Sequence, residues 1–243
     1  MQRPRLRDNK NKKDYELYPL GQVPDNIIIE IGKWITYHYA VGQSDISGED
    51  WGNIFAHAIG GTHLGAPLGL ADVIYKDMAW SVKSVKHENP HKASHIRVIS
   101  GRCSPDFSYG ISNPREDVAA SGAAVLGVYN ERINIAKERY EPLRTSVLIR
   151  NMKSLDFSLF EHDTVRYNPN EYEWRVNKRG NFEGVEKSTN THKFTWQPHG
   201  SQFTILYDVS ASSKKFKLQK PSVLDFNQIM NQVGFAPDWV TII

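Results

Sequence analysis

Two β-rich runs joined by a two-residue turn constrain the fold of this chain more than any other segment. The runs are LADVIY and MAWSVKSVK, and the residues between them are Lys76-Asp77. This spacing predicts an antiparallel β-hairpin in which Asp72 pairs with Ser81. Side chains alternate along a strand, so Asp72, Ser81 and Lys83 should lie on one face. The hairpin is therefore expected to bring an acid and a lysine together at one sheet edge.

Helical and strand-like patterns follow one another along the rest of the chain. Apolar residues recur at helical spacing from Asp25 to Tyr39, from Ser47 or Gly48 to the glycine pair at 60–61, and from Pro114 to about Tyr140. HIRVIS, TSVLIRNM and DFSLFEHD have the composition of strands. This order predicts an α+β fold, with a mixed central sheet flanked by helices and a C-terminal β-rich extension.

Charge and composition indicate three regions within one compact unit. Residues 1–14 form a flexible basic arm, in which six Lys or Arg stand against one acid in the first thirteen residues. Residues 15–165 should form the core, and residues 166–243 the β-rich extension. The basic arm suits contact with phosphates, because each neutralised phosphate releases counterions, although a solubilising tail has the same composition.

The cysteine count and the hydropathy indicate the cellular compartment in which we expect this protein to function. Cys103 is the single cysteine and cannot form an internal disulfide. No apolar run approaches the roughly 20 residues needed to span a bilayer, and the N-terminal residues lack the apolar stretch of a secretory signal. We expect a cytoplasmic protein with no membrane partner.

A carboxylate beside a lysine is the beginning of a site for phosphodiester hydrolysis. That reaction needs a hard divalent cation held by carboxylates, an activated water and a positive group near the phosphate. Asp72 would supply a carboxylate and Lys83 the positive group. An ordinary surface hairpin bearing two charges is the alternative interpretation.

The hairpin resembles the PD-(D/E)XK nuclease superfamily, which includes type II restriction endonucleases. In that family a proline-aspartate region on one strand precedes an acid-x-lysine triplet on the next, and here PLGLAD and Ser81-Val82-Lys83 occupy those places. Ser81 departs from the pattern, because the family usually has Asp or Glu there. Some restriction enzymes with Ser-x-Lys recruit a glutamate from a following helix, which implies Glu116 or Glu131.

The resemblance also implies Mg²⁺ as cofactor and a further acid on the helix that precedes the aspartate strand. Glu49 and Asp50 are the candidates for that metal ligand. Asp50 shares a helical face with Ile54 and should turn more towards the sheet. Both acids also suit the first turn of a helix on electrostatic grounds alone.

Cations and amides are frequent in the C-terminal third, where we expect contact with DNA. Cations can bind phosphates, while arginines and amides can read base edges; a solvated sheet edge guarded by lysines would look similar. The candidate DNA contacts, two of which precede this region, are Lys86, Arg102, Arg175, Lys178, Arg179, Lys193 and Gln197.

The resemblance implies sequence-specific, Mg²⁺-dependent cleavage of double-stranded DNA by a homodimer in a prokaryotic cytoplasm, with a possible cognate DNA methyltransferase. Two other functions remain open: a non-catalytic DNA-binding protein with a nuclease-like fold, and a structure-specific repair or recombination nuclease. A zinc site at His87, His91 and His95 is disfavoured, because Pro90 interrupts any helix that would align them.

Overall fold

The computed structural model describes residues 16–65 and 69–243. The basic arm of residues 1–14 and Pro67 of the proline-aspartate region lie outside the described residues. In the described part, the helices are α1 (Asp25–Ala40), α2 (Gly48–Ile59), α3 (Pro105–Tyr109), α4 (Val118–Lys137) and α5 (Phe226–Gln232). The strands are β1 (Thr62–His63), β2 (Val73–Tyr75), β3 (Met78–Lys86), β4 (His95–Arg102), β5 (Leu143–Asn151), β6 (Asp156–Asp163), β7 (Tyr172–Val176), β8 (Phe182–Glu186), β9 (Thr191–Gln197), β10 (Gln202–Asp208) and β11 (Lys214–Lys217).

Local sequence signals account for the ends of the helices. The side chain of Ser47 caps α2 and forms a capping box with Asp50, and the helix ends at Gly60 in the left-handed conformation. Asp117 caps α4 through its side chain, which accepts a hydrogen bond from the backbone N–H of Ala120. The three long helices expected from the sequence are therefore confirmed, with α4 beginning at Val118 rather than Pro114.

The predicted hairpin is confirmed in register. Val73 pairs with Trp80 and Tyr75 with Met78, leaving a two-residue turn in which Lys76 has a positive φ of 51°. Strand β3 then runs parallel to β5, and the connection between them passes through β4 and α4. This mixed pairing places the hairpin inside a larger sheet and fixes which way its side chains point.

The described strands form two sheets. The first has six strands in the order β1-β2-β3-β5-β6-β11, and the second has five antiparallel strands in the order β4-β10-β9-β8-β7. One core joins α1 and α2 to the face of the first sheet that carries Trp80 and Val82. The other core joins α4 to the opposite face of that sheet and to the second sheet. The α+β class is therefore confirmed.

The division of the chain at residue 165 differs from the arrangement of the sheets. Strand β4 was expected within the core region, but it pairs along its length with β10 and belongs to the second sheet. Strand β11, from the expected extension, pairs with β6 at the edge of the first sheet. The two regions therefore exchange strands, because a strand's partner depends on distant residues and not on its own pattern.

A buried polar network supports β3 from the side of α1. Glu161 accepts hydrogen bonds from the hydroxyl of Tyr18 and the indole of Trp80, both at 2.8 Å, and faces Arg144 at 3.4 Å. Burial raises the pKa of Glu161 despite these partners. The network ties β3, β5 and β6 together one residue before Ser81. Among the described residues, no helix has the length and hydropathy required to cross a membrane.

Candidate functional site

Asp72 and Lys83 lie side by side where the hairpin opens. The Oδ2 atom of Asp72 accepts hydrogen bonds from Lys83 Nζ at 2.6 Å, from the backbone N–H of Val82 at 3.0 Å and from Ser81 Oγ at 3.2 Å. The two charged side chains keep 20% and 21% of their surface exposed. The predicted proximity of the acid and the lysine is confirmed, and both remain within reach of a ligand.

A cleft of about 530 Å³ surrounds this pair. It is bounded by the start of α2, by β1, by the second half of β3, by β4 and by the end of β5. The polar or charged side chains that line it include Glu49, His63, Asp72, Lys83, Arg97 and Arg150. Acidic and basic groups therefore meet in one open concavity, which is the arrangement that a metal-dependent site for an anionic substrate requires.

Glu49 lines the cleft, whereas Asp50 is engaged elsewhere. Asp50 accepts a hydrogen bond from the backbone N–H of Ser47 at 2.9 Å and lies 4.0 Å from His38. The hydroxyl of Ser47 is the main cause that lowers the pKa of Asp50. The expectation that Asp50 would face the site more than Glu49 is therefore wrong, because the capping box fixes its side chain at the helix end.

Neither glutamate expected from the following helix reaches the cleft. Glu116 lies in an exposed turn before α4, and Glu131 is exposed on α4, where it accepts a hydrogen bond from Asn134 at 2.9 Å. Ser81 is buried and donates to Asp72, so it offers no carboxylate of its own. The structure thus does not bring Glu116 or Glu131 to Asp72, because Glu116 precedes α4 and Glu131 lies on the exposed face of this helix.

The donor set suits a magnesium ion that is shared with a phosphate. Among residues 16–65 and 69–243, no group of three or more His, Cys, Asp or Glu side chains is placed to hold a metal. Mg²⁺ usually keeps several waters and binds through one or two carboxylates together with substrate phosphates. Asp72 Oδ1 accepts no hydrogen bond from the described chain, and Glu49 also has a free carboxylate in the same cleft. These two residues fit that pattern.

An ion cluster that the sequence did not reveal lies at the rim of the cleft. Arg150 binds Asp45 through Nε at 3.0 Å and donates to Ser84 Oγ at 3.1 Å. Lys86, a candidate phosphate contact, binds the same carboxylate at 2.7 Å and is 73% exposed. Burial would raise the pKa of Asp45, but hydrogen bonds from Lys86 and Arg150 outweigh it and lower the value to about 2. The cluster fixes the far end of β3 beside Lys83.

A second polar concavity of about 650 Å³ lies on the outward face of the second sheet. Arg97 and Ile99 of β4 line both this concavity and the cleft of Asp72, so the two lie next to each other. We call it the sheet groove, and its other lining residues include Lys178, Arg179, Gln197 and Gln202. Arg97, Lys178, Arg179, Gln197 and Gln202 make no side-chain hydrogen bond or ion pair within the described chain. Their donors and acceptors remain available to a ligand.

The other candidate DNA contacts lie beside the sheet groove. Arg102 ends β4 opposite Gln202, and Arg175 pairs with Glu183 at 3.5 Å. The ammonium group of Lys193 lies 5.6 Å from the ring centroid of Tyr207. These three residues do not line the groove, so the structure brings together only Lys178, Arg179 and Gln197 of the candidates in this sheet.

His63 and Arg97 also line the cleft and were missed from the sequence. His63 packs against Gly52 of α2, where an added Cβ would lie 2.4 Å from its Nε2 atom, and its Nδ1 lies 3.1 Å from Asn53 Oδ1. Its strand β1 has two residues, too few for an alternating pattern. Arg97 did carry a signal, because HIRVIS alternates buried and exposed positions and places Arg97 outward.

The three histidines considered for zinc have separate partners. His87 accepts a hydrogen bond from the backbone N–H of Asn89, His91 contacts the carbonyl oxygen of Phe216, and His95 contacts Asp208. Each of the three imidazoles therefore contacts a different part of the chain.

Comparisons with protein-family models, with curated proteins and with solved structures give no match for this chain. The geometry of the cleft and the sheet groove is therefore the basis on which a function can be proposed.

Proposed function

We propose that this chain hydrolyses phosphodiester bonds of double-stranded DNA in a reaction that depends on Mg²⁺ and on the DNA sequence. The observation that carries the proposal is the 2.6 Å contact between Asp72 Oδ2 and Lys83 Nζ inside an open cleft. This pair agrees with the resemblance to the PD-(D/E)XK superfamily, in its Ser-x-Lys form.

Each residue of the cleft has a separate role in the proposed reaction. Asp72 and Glu49 would hold the Mg²⁺ ion, which supplies positive charge to the scissile phosphate and lowers the pKa of water. Lys83 would orient the attacking water or stabilise the charge on a phosphate oxygen. As the water oxygen bonds to phosphorus, the bond from phosphorus to the leaving oxygen breaks, and one proton of the water passes through solvent to the leaving oxygen. Ser81 and the backbone N–H of Val82 orient the Asp72 carboxylate through their hydrogen bonds.

The sheet groove is the surface best placed to hold the duplex while the cleft cuts it. Lys178 and Arg179 offer cations for phosphates, and Gln197 and Gln202 offer amides that can form paired hydrogen bonds with base edges. Gln197 and Gln202 are directly opposite one another on β9 and β10. Because the groove adjoins the cleft at Arg97, recognition and cleavage can occur on one bound duplex.

A restriction enzyme of this kind would act as a homodimer, since two active sites related by a two-fold axis can cut both strands of a palindromic site. A cognate DNA methyltransferase would then protect the host sequence. Both remain parts of the proposal, as does a prokaryotic cytoplasm as the site of action.

A second candidate function is supported by a separate observation. Ser81 replaces an acid, and Lys83 already occupies one oxygen of Asp72, so a chain that binds DNA without cutting it would have the same geometry. A measurement of cleavage, and not of DNA affinity, therefore distinguishes the two functions.

Incubation of the purified protein with supercoiled plasmid and Mg²⁺ tests the proposal. We expect discrete fragments with Mg²⁺ and none with EDTA. Retention of the plasmid in a gel without cleavage would support the binding protein. Nicking, or cutting that follows DNA structure, would instead support a repair or recombination nuclease.

Matched variants locate the active site. Lys83→Ala should reduce the cleavage rate by about 10³-fold, within the range for loss of one catalytic group, while duplex binding is retained. Lys92→Ala removes an exposed lysine outside the cleft and should leave the rate unchanged. Full activity in Lys83→Ala would show that the site lies elsewhere.

A further inference from the structure

The C-terminal arm, which we define as residues 219–243, lies at the surface with most of its residues exposed. None of its residues is buried, although it contains helix α5 and a short 3-10 turn at Pro237–Trp239. Its large apolar side chains face solvent, with Phe226 and Trp239 exposed by 70% and 63%. The exposed apolar residues of the arm are Val223, Leu224, Phe226, Val233, Phe235, Trp239, Val240, Ile242 and Ile243.

An arm with this composition needs a surface to pack against. A helix of seven residues is not stable alone in water, because isolated helices below about 12 residues are marginal. Within the arm, Phe235 packs edge-on against Trp239, and the backbone N–H of Phe235 binds the carbonyl of Met230. The arm therefore has a defined shape with an apolar surface, as an interface segment does.

An apolar groove on the same chain matches this surface. It has a volume of about 590 Å³ and lies between α1 and β11. Its apolar lining includes Ile28, Ile29, Tyr37, Phe216 and Leu218, and Ile29 is 59% exposed. We call it the helix groove.

The charge of the arm is compatible with the helix groove. The arm contains two acids, Asp225 and Asp238, and one cation, Lys220. The helix groove is bordered by Lys33 and Lys217, each of which also pairs with an acid of its own chain. By contrast, the segment of residues 1–14 is basic and poor in apolar residues, which makes it a poor occupant of this groove.

The arm leaves the helix groove of its own chain unoccupied. Leu218 lines the groove, whereas the backbone N–H of Leu224 binds the carbonyl oxygen of Ala40, the last residue of α1. None of the residues 219–243, all of which the structure describes, lines the groove. A second copy can fill this open surface, and a two-fold axis makes the exchange reciprocal.

We propose that two copies of this chain form a dimer by exchanging C-terminal arms, each arm binding the helix groove of the partner. The nine exposed apolar side chains, eight of them at half exposure or more and Phe235 at 47%, present on the order of 800 Å² per arm. Two exchanged arms would then bury about 1,600 Å² from the arms alone, which is the size of a stable protein interface. This proposal does not depend on the nuclease activity.

Cross-linking between two different full-length variants tests the exchange directly. The single natural cysteine, Cys103, is buried, so introduced thiols would be the accessible ones. One preparation carries Ile29→Cys and the other Trp239→Cys, and the two are mixed and oxidised. We expect a disulfide-linked dimer that contains one copy of each variant.

The opposite outcomes overturn the proposal. No cross-link in the mixture, together with an internal disulfide when both substitutions are in one chain, would show that the arm folds back onto its own groove. A monomeric mass for the wild type in light scattering at micromolar concentration would also overturn the exchange.

Dimer affinity gives a second, independent measurement. Phe235→Ala with Trp239→Ala should weaken the dimer by at least about 100-fold, as expected for loss of two aromatic anchors. Tyr37→Ala should weaken it from the side of the helix groove. Phe107→Ala is the matched control, because Phe107 is 94% exposed on α3, outside both surfaces. Equal weakening by the control would contradict the exchange.

Discussion

Glu49 and Asp50 are adjacent in the sequence and differ in what they contact. Glu49 lines the cleft with Asp72 and has no partner in the described chain, whereas Asp50 completes the capping box with Ser47. Helical phase alone favoured Asp50, since it predicts the face of a residue but not the backbone groups that capture its side chain. A short acid at the third helical position is captured by the cap.

Conservative substitutions should distinguish the role of Glu49 in the cleft from the role of Asp50 in the helix cap. We expect Glu49→Gln to lower Mg²⁺-dependent cleavage at limiting Mg²⁺ and to leave the free energy of unfolding unchanged. Asp50→Asn should lower the free energy of unfolding by about 1 kcal/mol, as for a weakened helix cap, and should retain cleavage. Mg²⁺ titration of the cleavage rate and urea denaturation measure these effects. Reversed results would mean that Asp50 serves the metal.

Asp45 predicts a pH dependence of stability. Its pKa in the folded chain is about 2, below the ordinary value of 3.8, because of Lys86 and Arg150. A carboxylate with a lowered folded pKa stabilises the fold above its unfolded pKa and loses that contribution as the pH falls towards the folded value. The stabilisation should therefore be complete above about pH 4 and decline towards pH 2.

Asp45→Asn should thus lower the free energy of unfolding at pH 7 by on the order of 1 kcal/mol, because Asp45 is partly exposed and screened by solvent although its partner Arg150 is buried. The difference from wild type should shrink as the pH falls below 4. Denaturant unfolding at several pH values measures it. A difference that stays constant across this range would assign the stability to another interaction.

At the scale of single residues, the sequence predicted the pair at the centre of the site and one further acid of the cleft, and missed other residues around them. Asp72 and Lys83 followed from alternation across a tight hairpin, which is local. Arg150 reaches the cleft through the pairing of β5 with the distant strand β3, and no local pattern carries that information. His63 lies on a strand of two residues, which is too short to show an alternating pattern. Glu131 illustrates the converse, because its helix was predicted correctly and its side chain faces away.

Among the elements, α4 has the closest packing to the second sheet. A Cβ added at Gly122 would lie 2.2 Å from Cγ of Trp174 on β7, so only glycine allows this approach. Trp174 belongs to the core that joins α4 and both sheets. The sequence showed Gly122 within the apolar stripe of the helix, but the tryptophan that requires it is 52 positions further along the chain.

Gly122→Ala should therefore lower the free energy of unfolding by about 1–3 kcal/mol, the usual cost of overpacking. Gly48→Ala is the matched control, because nothing lies within 4 Å of a Cβ added there. The control should be neutral or stabilising, since alanine is favoured over glycine in a helix by about 0.5–1 kcal/mol. Thermal unfolding of both variants measures the change in stability that each substitution causes. Equal changes would show that α4 and β7 can move apart.

For the whole molecule, the placement of β4 in the second sheet puts the cleft between the two sheets. Strand β4 begins 12 residues after Lys83 in the sequence, yet it pairs with β10. This pairing places Arg97 where the cleft and the sheet groove meet. The α+β class was predictable from the order of elements. The strand order of the two sheets was not predictable from the sequence, because the partners of a β-strand depend on packing over the whole chain.

Arg97 and Lys193 provide a comparison at this scale. Arg97 lines both concavities and has no side-chain partner in the described chain, whereas Lys193 lies over Tyr207 outside the sheet groove. Arg97→Ala should weaken duplex binding and lower the slope of log affinity against log salt by about 1, as for one lost phosphate contact. Lys193→Ala should change neither.

Gln202→Ala completes the comparison, because an amide that reads bases acts differently from a cation that binds phosphate. We expect it to relax the preference for one base pair by about 1–3 kcal/mol and to leave the salt dependence unchanged. Cleavage of a library of randomised duplexes, sequenced at the cut ends, measures the preference. If Gln202→Ala and Arg97→Ala instead reduced cleavage of every sequence equally, the sheet groove would bind the duplex without reading it, because loss of a phosphate contact is independent of sequence.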